Sequence, residues 1–138
     1  MKRRALLLVL VSIITAWLAT SVLGCRSKKS LDADVDHLLT AIAATDYDHF
    51  KADAHPSLAQ EVSKQEFDRM ALVLKKLGPL ESKQMTSIEV KAGGLAEGKY
   101  EMRFANGSCT LQIKSVEGKL VGFRFLGPDI ERLSRGSP

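Results

Sequence analysis

The stretch "YEMRFANGSCTLQI", Tyr100 to Ile113, alternates apolar and polar residues on both sides of an Asn-Gly pair. Period-two patterning puts Tyr100, Met102 and Phe104 on one face of a strand, and Cys109, Leu111 and Ile113 on one face of the next. A two-residue turn at Asn106-Gly107 predicts Phe104 opposite Cys109, Met102 opposite Leu111 and Tyr100 opposite Ile113. Every pair is apolar, so the hairpin has one oily face.

Working downstream, Val121, Phe123 and Phe125 continue the alternation. A two-residue turn at Glu117-Gly118 would set Ile113 against Gly122 and Leu111 against Arg124, which mixes the faces. A three-residue loop from Val116 to Gly118, with Gly118 left-handed in a bulge, keeps them matched. It predicts Ile113 opposite Val121, Leu111 opposite Phe123 and Cys109 opposite Phe125. Working upstream, Met85, Ile88 and Val90 predict a weaker strand over residues 83–92, before a loop from Gly93 to Gly98.

Before Pro79 the period is helical. Ser30 as N-cap, Asp32 and Asp34 in the first turn, and Leu31, Val35, Leu38 and Ile42 at helical spacing predict a helix over residues 31–45. "TDYDHF" restarts a shorter helix, with Tyr47 and Phe50 on one face, that stops before Pro56. Ser63 and Glu66 form a capping-box pattern ahead of the stripe Phe67, Met70, Leu74 and Leu77, and Gly78-Pro79 ends that helix. Helices followed by an antiparallel sheet with one buried face define an α+β domain. The chain is assigned to it over residues 31–128, with a flexible tail over 129–138 that lacks apolar pattern.

The first residues follow a different logic. Lys2, Arg3 and Arg4 precede an uncharged run from Ala5 to Leu23, the layout of a secretory signal, although 19 uncharged residues also approach the length of a membrane span. Val22-Leu23-Gly24-Cys25 resembles the bacterial lipobox: aliphatic residues, a small residue, then cysteine. The resemblance implies cleavage of residues 1–24, and a thioether-linked diacylglyceryl group on Cys25 with a further acyl chain, such as palmitate, on its amine. It therefore implies a lipoprotein tied to a membrane through acyl chains. Two or three chains anchor stably where one binds reversibly. Residues 25–30 form the lipidated cysteine and its tether, which reaches at most about 18 Å when extended. Arg26, where an aspartate would signal inner-membrane retention, favours the periplasmic face of an outer membrane if the cell has one.

Removing Lys2, Arg3 and Arg4 from the 20 basic residues leaves 17 against 16 acidic ones, so the folded part is nearly neutral. No basic cluster interleaved with aromatics follows, which argues against nucleic acid as a partner. With Cys25 lipidated, Cys109 has no disulfide partner and reads as a buried, inert thiol. No metal-ligand spacing or cofactor motif appears, and His37, His49 and His55 are too irregularly spaced for a metal site.

The order of "DYDHF" after a first helix, the "LKKLGPLES" helix exit and the strands ending in "GKLVGFRF" resembles small bacterial envelope domains of the nuclear transport factor two-like, or cystatin-like, superfamily. The resemblance covers residues 31–127 and implies N-terminal helices on one face of a curved sheet, forming a cone. Residues expected to line that cone are Tyr47, Tyr100, Met102, Phe104, Leu111 and Phe123. The superfamily includes isomerases, dehydratases, ligand binders and assembly modules, so fold leaves function open.

Acid or base candidates are Asp46, Asp48, His49 and His55, with Tyr47 or Tyr100 as a partner. Four of them have a structural role that fits better: Asp46 as a helix cap, His49 as a solvated helix residue, His55 as a turn residue and Tyr100 as core. No catalytic residue is assigned. The sequence therefore favours a cell-envelope protein whose domain binds a small ligand or an envelope protein without catalysis. An isomerase- or dehydratase-type enzyme, and an oligomerising structural subunit or homodimer using the outer sheet face, are the alternatives.

Overall fold

A computed structural model describes residues 27–136. The signal segment, Cys25 and Arg26 lie outside these residues. Among the described residues no helix is long and apolar enough to cross a membrane.

Ser63 initiates the best-defined helix. Its Oγ accepts from Glu66 N, Glu66 Oε2 accepts from Ser63 N, and the capping box expected from the sequence is complete. Three shorter or earlier helices precede or flank it. Helix α1 runs through residues 27–44, α2 spans Tyr47–Asp53, α3 spans Pro56–Glu61 and α4 spans Lys64–Lys76. Gly78, at φ 83°, then turns the chain into the sheet. The sheet is formed by β1 (Leu80–Val90), β2 (Leu95–Phe104), β3 (Gly107–Val116) and β4 (Lys119–Leu126), and α5 (Pro128–Arg135) follows. The four strands are antiparallel and lie in the order β1-β2-β3-β4. Helices before a four-stranded antiparallel sheet make the domain α+β, as the alternation predicts.

Helix α1 lies against the buried sheet face. Leu31, Val35, Leu38 and Ile42 from α1 meet Tyr100, Met102, Leu111 and Ile113 from the sheet in one core, joined by Phe50, Phe67, Leu74 and Leu77. Strand β1 extends past this cover: Ile88 stands opposite Gly98 and Val90 opposite Ala96, on the helix-side face, yet both are exposed.

Both hairpin registers differ from expectation. In the first, the turn residues are Ala105 and Asn106, so Phe104 faces Gly107, Met102 faces Cys109 and Tyr100 faces Leu111. The shift of two residues preserves the oily face. Its cause is the helix exit, because Asn106 N donates to Leu77 O at 2.8 Å and Ala105 N to Pro79 O at 3.0 Å. Gly107 is required for space rather than for turn geometry. A Cβ there would sit 2.7 Å from Asp129 Oδ2 and 2.8 Å from Leu77 Cδ2.

In the second hairpin the turn is the two-residue Glu117-Gly118, with both residues at positive φ, 51° and 74°. A bulge between Leu120 and Gly122 then slips the register by one, so Ile113 faces Phe123 and Leu111 faces Phe125. The bulge, not a longer loop, reconciles the faces.

Three further boundaries are corrected. Residues 27–30, expected as tether, belong to α1, and Ser30 lies inside that helix. The first strand begins at Leu80 rather than at residue 83. Of the residues expected as a flexible tail, 129–135 belong to α5, whose Ile130 and Leu133 pack on the core, and 137–138 lie outside the described residues. Asp129 at its start accepts from Ser108 N at 3.0 Å, which ties α5 to β3.

Candidate functional site: a groove between α4, β4 and α5

The expected cone interior is filled. Tyr100, Met102 and Leu111 are each at most 1% exposed, and Phe104 is buried beside them, so these four are core and not pocket wall. Tyr47 is half-buried and packs on Phe50 and Phe67, and its hydroxyl donates to Val62 O at 2.7 Å. Of the six expected lining residues, Tyr47 borders a shallow polar pocket with Asp46, Asp48, Lys51 and Lys64, and Phe123 borders an open apolar groove.

That groove, about 550 Å³, lies between α4, β4 and α5. Met70, Leu72, Val73 and Leu74 from α4, Phe123 and Phe125 from β4, and Ile130 from α5 form its apolar wall. Their placement follows from local rules: Phe123 and Phe125 alternate inward along β4, and Met70 and Val73 sit one helical turn apart on α4. Leu72 is half exposed at the rim. Arg69, Arg124 and Ser134 supply the polar side chains of the lining, and no carboxylate belongs to it. Neither arginine has an ion-pair partner within 4.0 Å among the described residues. Pockets of this size that are mostly apolar, with a few placed polar groups, are the usual form of a small-ligand site.

The acid and base candidates go elsewhere. Asp46 caps α2 by accepting from His49 N at 3.0 Å, and Asp48 pairs with Lys51 at 3.0 Å. His55 caps α3, with Nδ1 taking the Ser57 amide at 3.3 Å. His49 is not merely solvated. Its Nε2 lies 3.1 Å from the buried Asp53 Oδ2, and His37 Nδ1 lies 3.5 Å from the same atom, neither aligned as a hydrogen bond. The two rings meet edge to face at 6.2 Å. Sequence spacing hid this cluster because His37 and Asp53 belong to separate helices. Among the described residues no group of His, Cys, Asp and Glu is arranged to hold a metal ion.

Three aspartates of α1 fasten that helix to the sheet. Tyr100 Oη donates to Asp32 Oδ1 at 2.7 Å, Ser115 Oγ donates to Asp34, and Lys83 Nζ bonds Asp36. Burial, then the Asp32 hydrogen bond, pushes the Tyr100 hydroxyl well above the usual phenol range, so it acts as a donor and not as a base. Burial also pushes the Cys109 thiol up to about 11, which suits an inert core cysteine.

Burial raises the Asp34 carboxyl above 3.8, outweighing the Ser115 hydrogen bond that favours the carboxylate. Between the unfolded and folded values the native chain binds more protons, so stability falls as pH rises through that window and is level above it. Asp34→Asn keeps an acceptor for Ser115 and removes the loss. The variant is expected to have a higher urea midpoint than wild type at neutral pH, and the gain should disappear below pH 3.8. A gain that persists at the lower pH would place its origin outside Asp34 ionisation.

No family model, curated protein or solved structure matches the chain.

Proposed function

We propose that the chain is a bacterial lipoprotein, cleaved before Cys25 and acylated there, whose cystatin-like domain binds an apolar ligand at the cell envelope without catalysis. The periplasmic face of an outer membrane is its favoured address. Support for the anchor is the residue order of the first 25 positions: basic residues, an uncharged run and Val22-Leu23-Gly24-Cys25. The observation that carries the binding reading is the open apolar groove between α4, β4 and α5.

The use of Asp46 and His55 as helix caps supports binding over catalysis. The His37–Asp53–His49 cluster is the nearest approach to acid-base machinery. Its side chains are 59% and 42% exposed for the two histidines, unlike the enclosed apolar setting in which enzymes tune such groups. Assembly through the outer sheet face draws little support from its surface. Glu97 there pairs with Lys91 and Lys114 at 3.1 and 3.0 Å, and the exposed apolar residues of β1 lie on the opposite face.

Cys25→Ser is expected to release the protein from sedimented membranes or to leave an uncut precursor. Intact-mass measurement of the wild type should show acyl mass on a chain starting at Cys25. A mature, unmodified chain starting at Met1 would overturn the anchor.

A further inference from the structure

We propose that the α4–β4–α5 groove takes an amphiphilic anion: a single hydrocarbon chain along Phe123, Phe125 and Ile130, with a carboxylate or phosphate head held by Arg69 and Arg124. The proposal rests on the binding reading of the same groove and adds the ligand's chemical class. Its first ground is the composition of the lining, in which cations border an apolar wall and no anion is present.

The second ground is the state of the two arginines. Both are exposed, and neither forms an ion pair within 4.0 Å among the described residues; Lys99 and Arg103 share that state, but Arg69 and Arg124 are the two cations that line this groove. Glu66 is the acid whose charge Arg69 feels, but its Oε2 is already occupied by Ser63 N and Oγ, each at 2.8 Å. Arg69 lies in the field of Glu66, and Arg124, opposite Gln112, also borders the outer sheet face; both nonetheless line the apolar groove, where no carboxylate shares the wall with them. Guanidinium binds carboxylate and phosphate through paired N–H donors, and the apolar wall recovers the water-exposed area of a hydrocarbon tail. An uncharged apolar ligand would leave the arginines unused, and a small inorganic anion would leave the wall unused.

The full acylated chain in phosphatidylcholine nanodiscs provides the test, read from the methyl signals of Met70, Val73 and Ile130 during titration with five probes. These are dodecanoate, dodecyl phosphate, 1-dodecanol, dodecyltrimethylammonium and inorganic phosphate, compared at equal free concentration. Both anionic amphiphiles are expected to bind at least about 10-fold more tightly than dodecanol. The Arg69→Gln, Arg124→Gln double variant should remove that preference, bringing both anions to the affinity of dodecanol. Both sites are exposed, so the fold should tolerate the change. A stronger response to dodecanoate than to dodecyl phosphate assigns a fatty-acid head, and the reverse assigns a phosphate head.

Dodecanol binding with no preference for the anions overturns the head-group assignment and leaves the groove reading standing. Tighter binding of the ammonium amphiphile overturns the assignment in the same way. Inorganic phosphate binding as tightly as dodecyl phosphate overturns the role of the tail. If no amphiphile moves the groove methyls, both the proposal and the binding reading fail.

Discussion

Phe50→Ala is expected to cost about 3–5 kcal/mol, a substantial share of the about 5–15 kcal/mol that keeps such a domain folded. Phe50 is 1% exposed and sits at the centre of the aromatic cluster. Its ring centroid lies 5.1 Å from Phe67 and 6.0 Å from Tyr47 in stacked arrangements, and 5.8 Å from Phe123 edge-on. Truncation removes packing from three elements at once, and the surrounding backbone is too constrained to close the cavity. The consequence extends to the groove, because Phe123 leans on Phe50 from one side and meets Phe125 at 6.0 Å on the other. Urea unfolding followed by near-ultraviolet circular dichroism measures both the stability loss and the loosening of the rings. Phe50→Leu, which keeps most of the volume, should cost much less; equal losses would assign the effect to the ring contacts and not to the lost volume.

Gly98→Val is the second large effect, expected at about 1–3 kcal/mol through overpacking. A Cβ at Gly98 would lie 2.5 Å from Leu31 Cδ2 and 3.4 Å from Tyr100 Cε2. Leu31 is 1% exposed, so its terminal methyl has nowhere to move without shifting α1. Such a shift also strains the Tyr100–Asp32 hydrogen bond, since Asp32 is the next residue of α1. Adding Leu31→Ala opens room for the valine side chain. The double variant should therefore lose less than the sum of the two single losses, a coupling read directly from a mutant cycle. Strict additivity would show that the two sites do not touch.

These contacts show what the sequence exposes and what it conceals. The capping box at Ser63 and Glu66, the Gly78 exit and the inward set Tyr100, Met102, Leu111 and Ile113 were legible because each depends on nearby residues and a fixed period. The turns were harder. Asn106-Gly107 carries the right local chemistry, but the Leu77 and Pro79 carbonyls accept from the Asn106 and Ala105 amides and move the turn by one residue. Glu117-Gly118 was set aside because an unbroken ladder mixes faces, and the bulge after Leu120 is a remedy that alternation alone does not display.

Helices α3 and α5 escaped for a related reason. Each buries too few side chains to make a periodic stripe: Leu58 in one, and the partly covered pair Ile130 and Leu133 in the other. The groove was least visible, since its walls come from three elements and its rim from arginines 55 positions apart in the chain. Met70, Leu74 and Phe125 were legible as apolar stripe residues, but Phe123 was the one groove resident expected from the sequence to line a site. The pairing of His37 and His49 with Asp53 was hidden by the same separation in sequence.

The strand order has a consequence for how the molecule comes together. Each strand of β1-β2-β3-β4 pairs with its immediate neighbour in the chain, and two of the three connections are two-residue turns. Ladders closed by such short loops sacrifice little chain entropy and form rapidly. Helix α1 is in the opposite position: its bonds to the sheet span 68 residues from Asp32 to Tyr100 and 81 from Asp34 to Ser115. The ladder closes between neighbours in the chain, whereas α1, synthesised before any strand, cannot make its two long-range bonds to the sheet until β2 and β3 are complete.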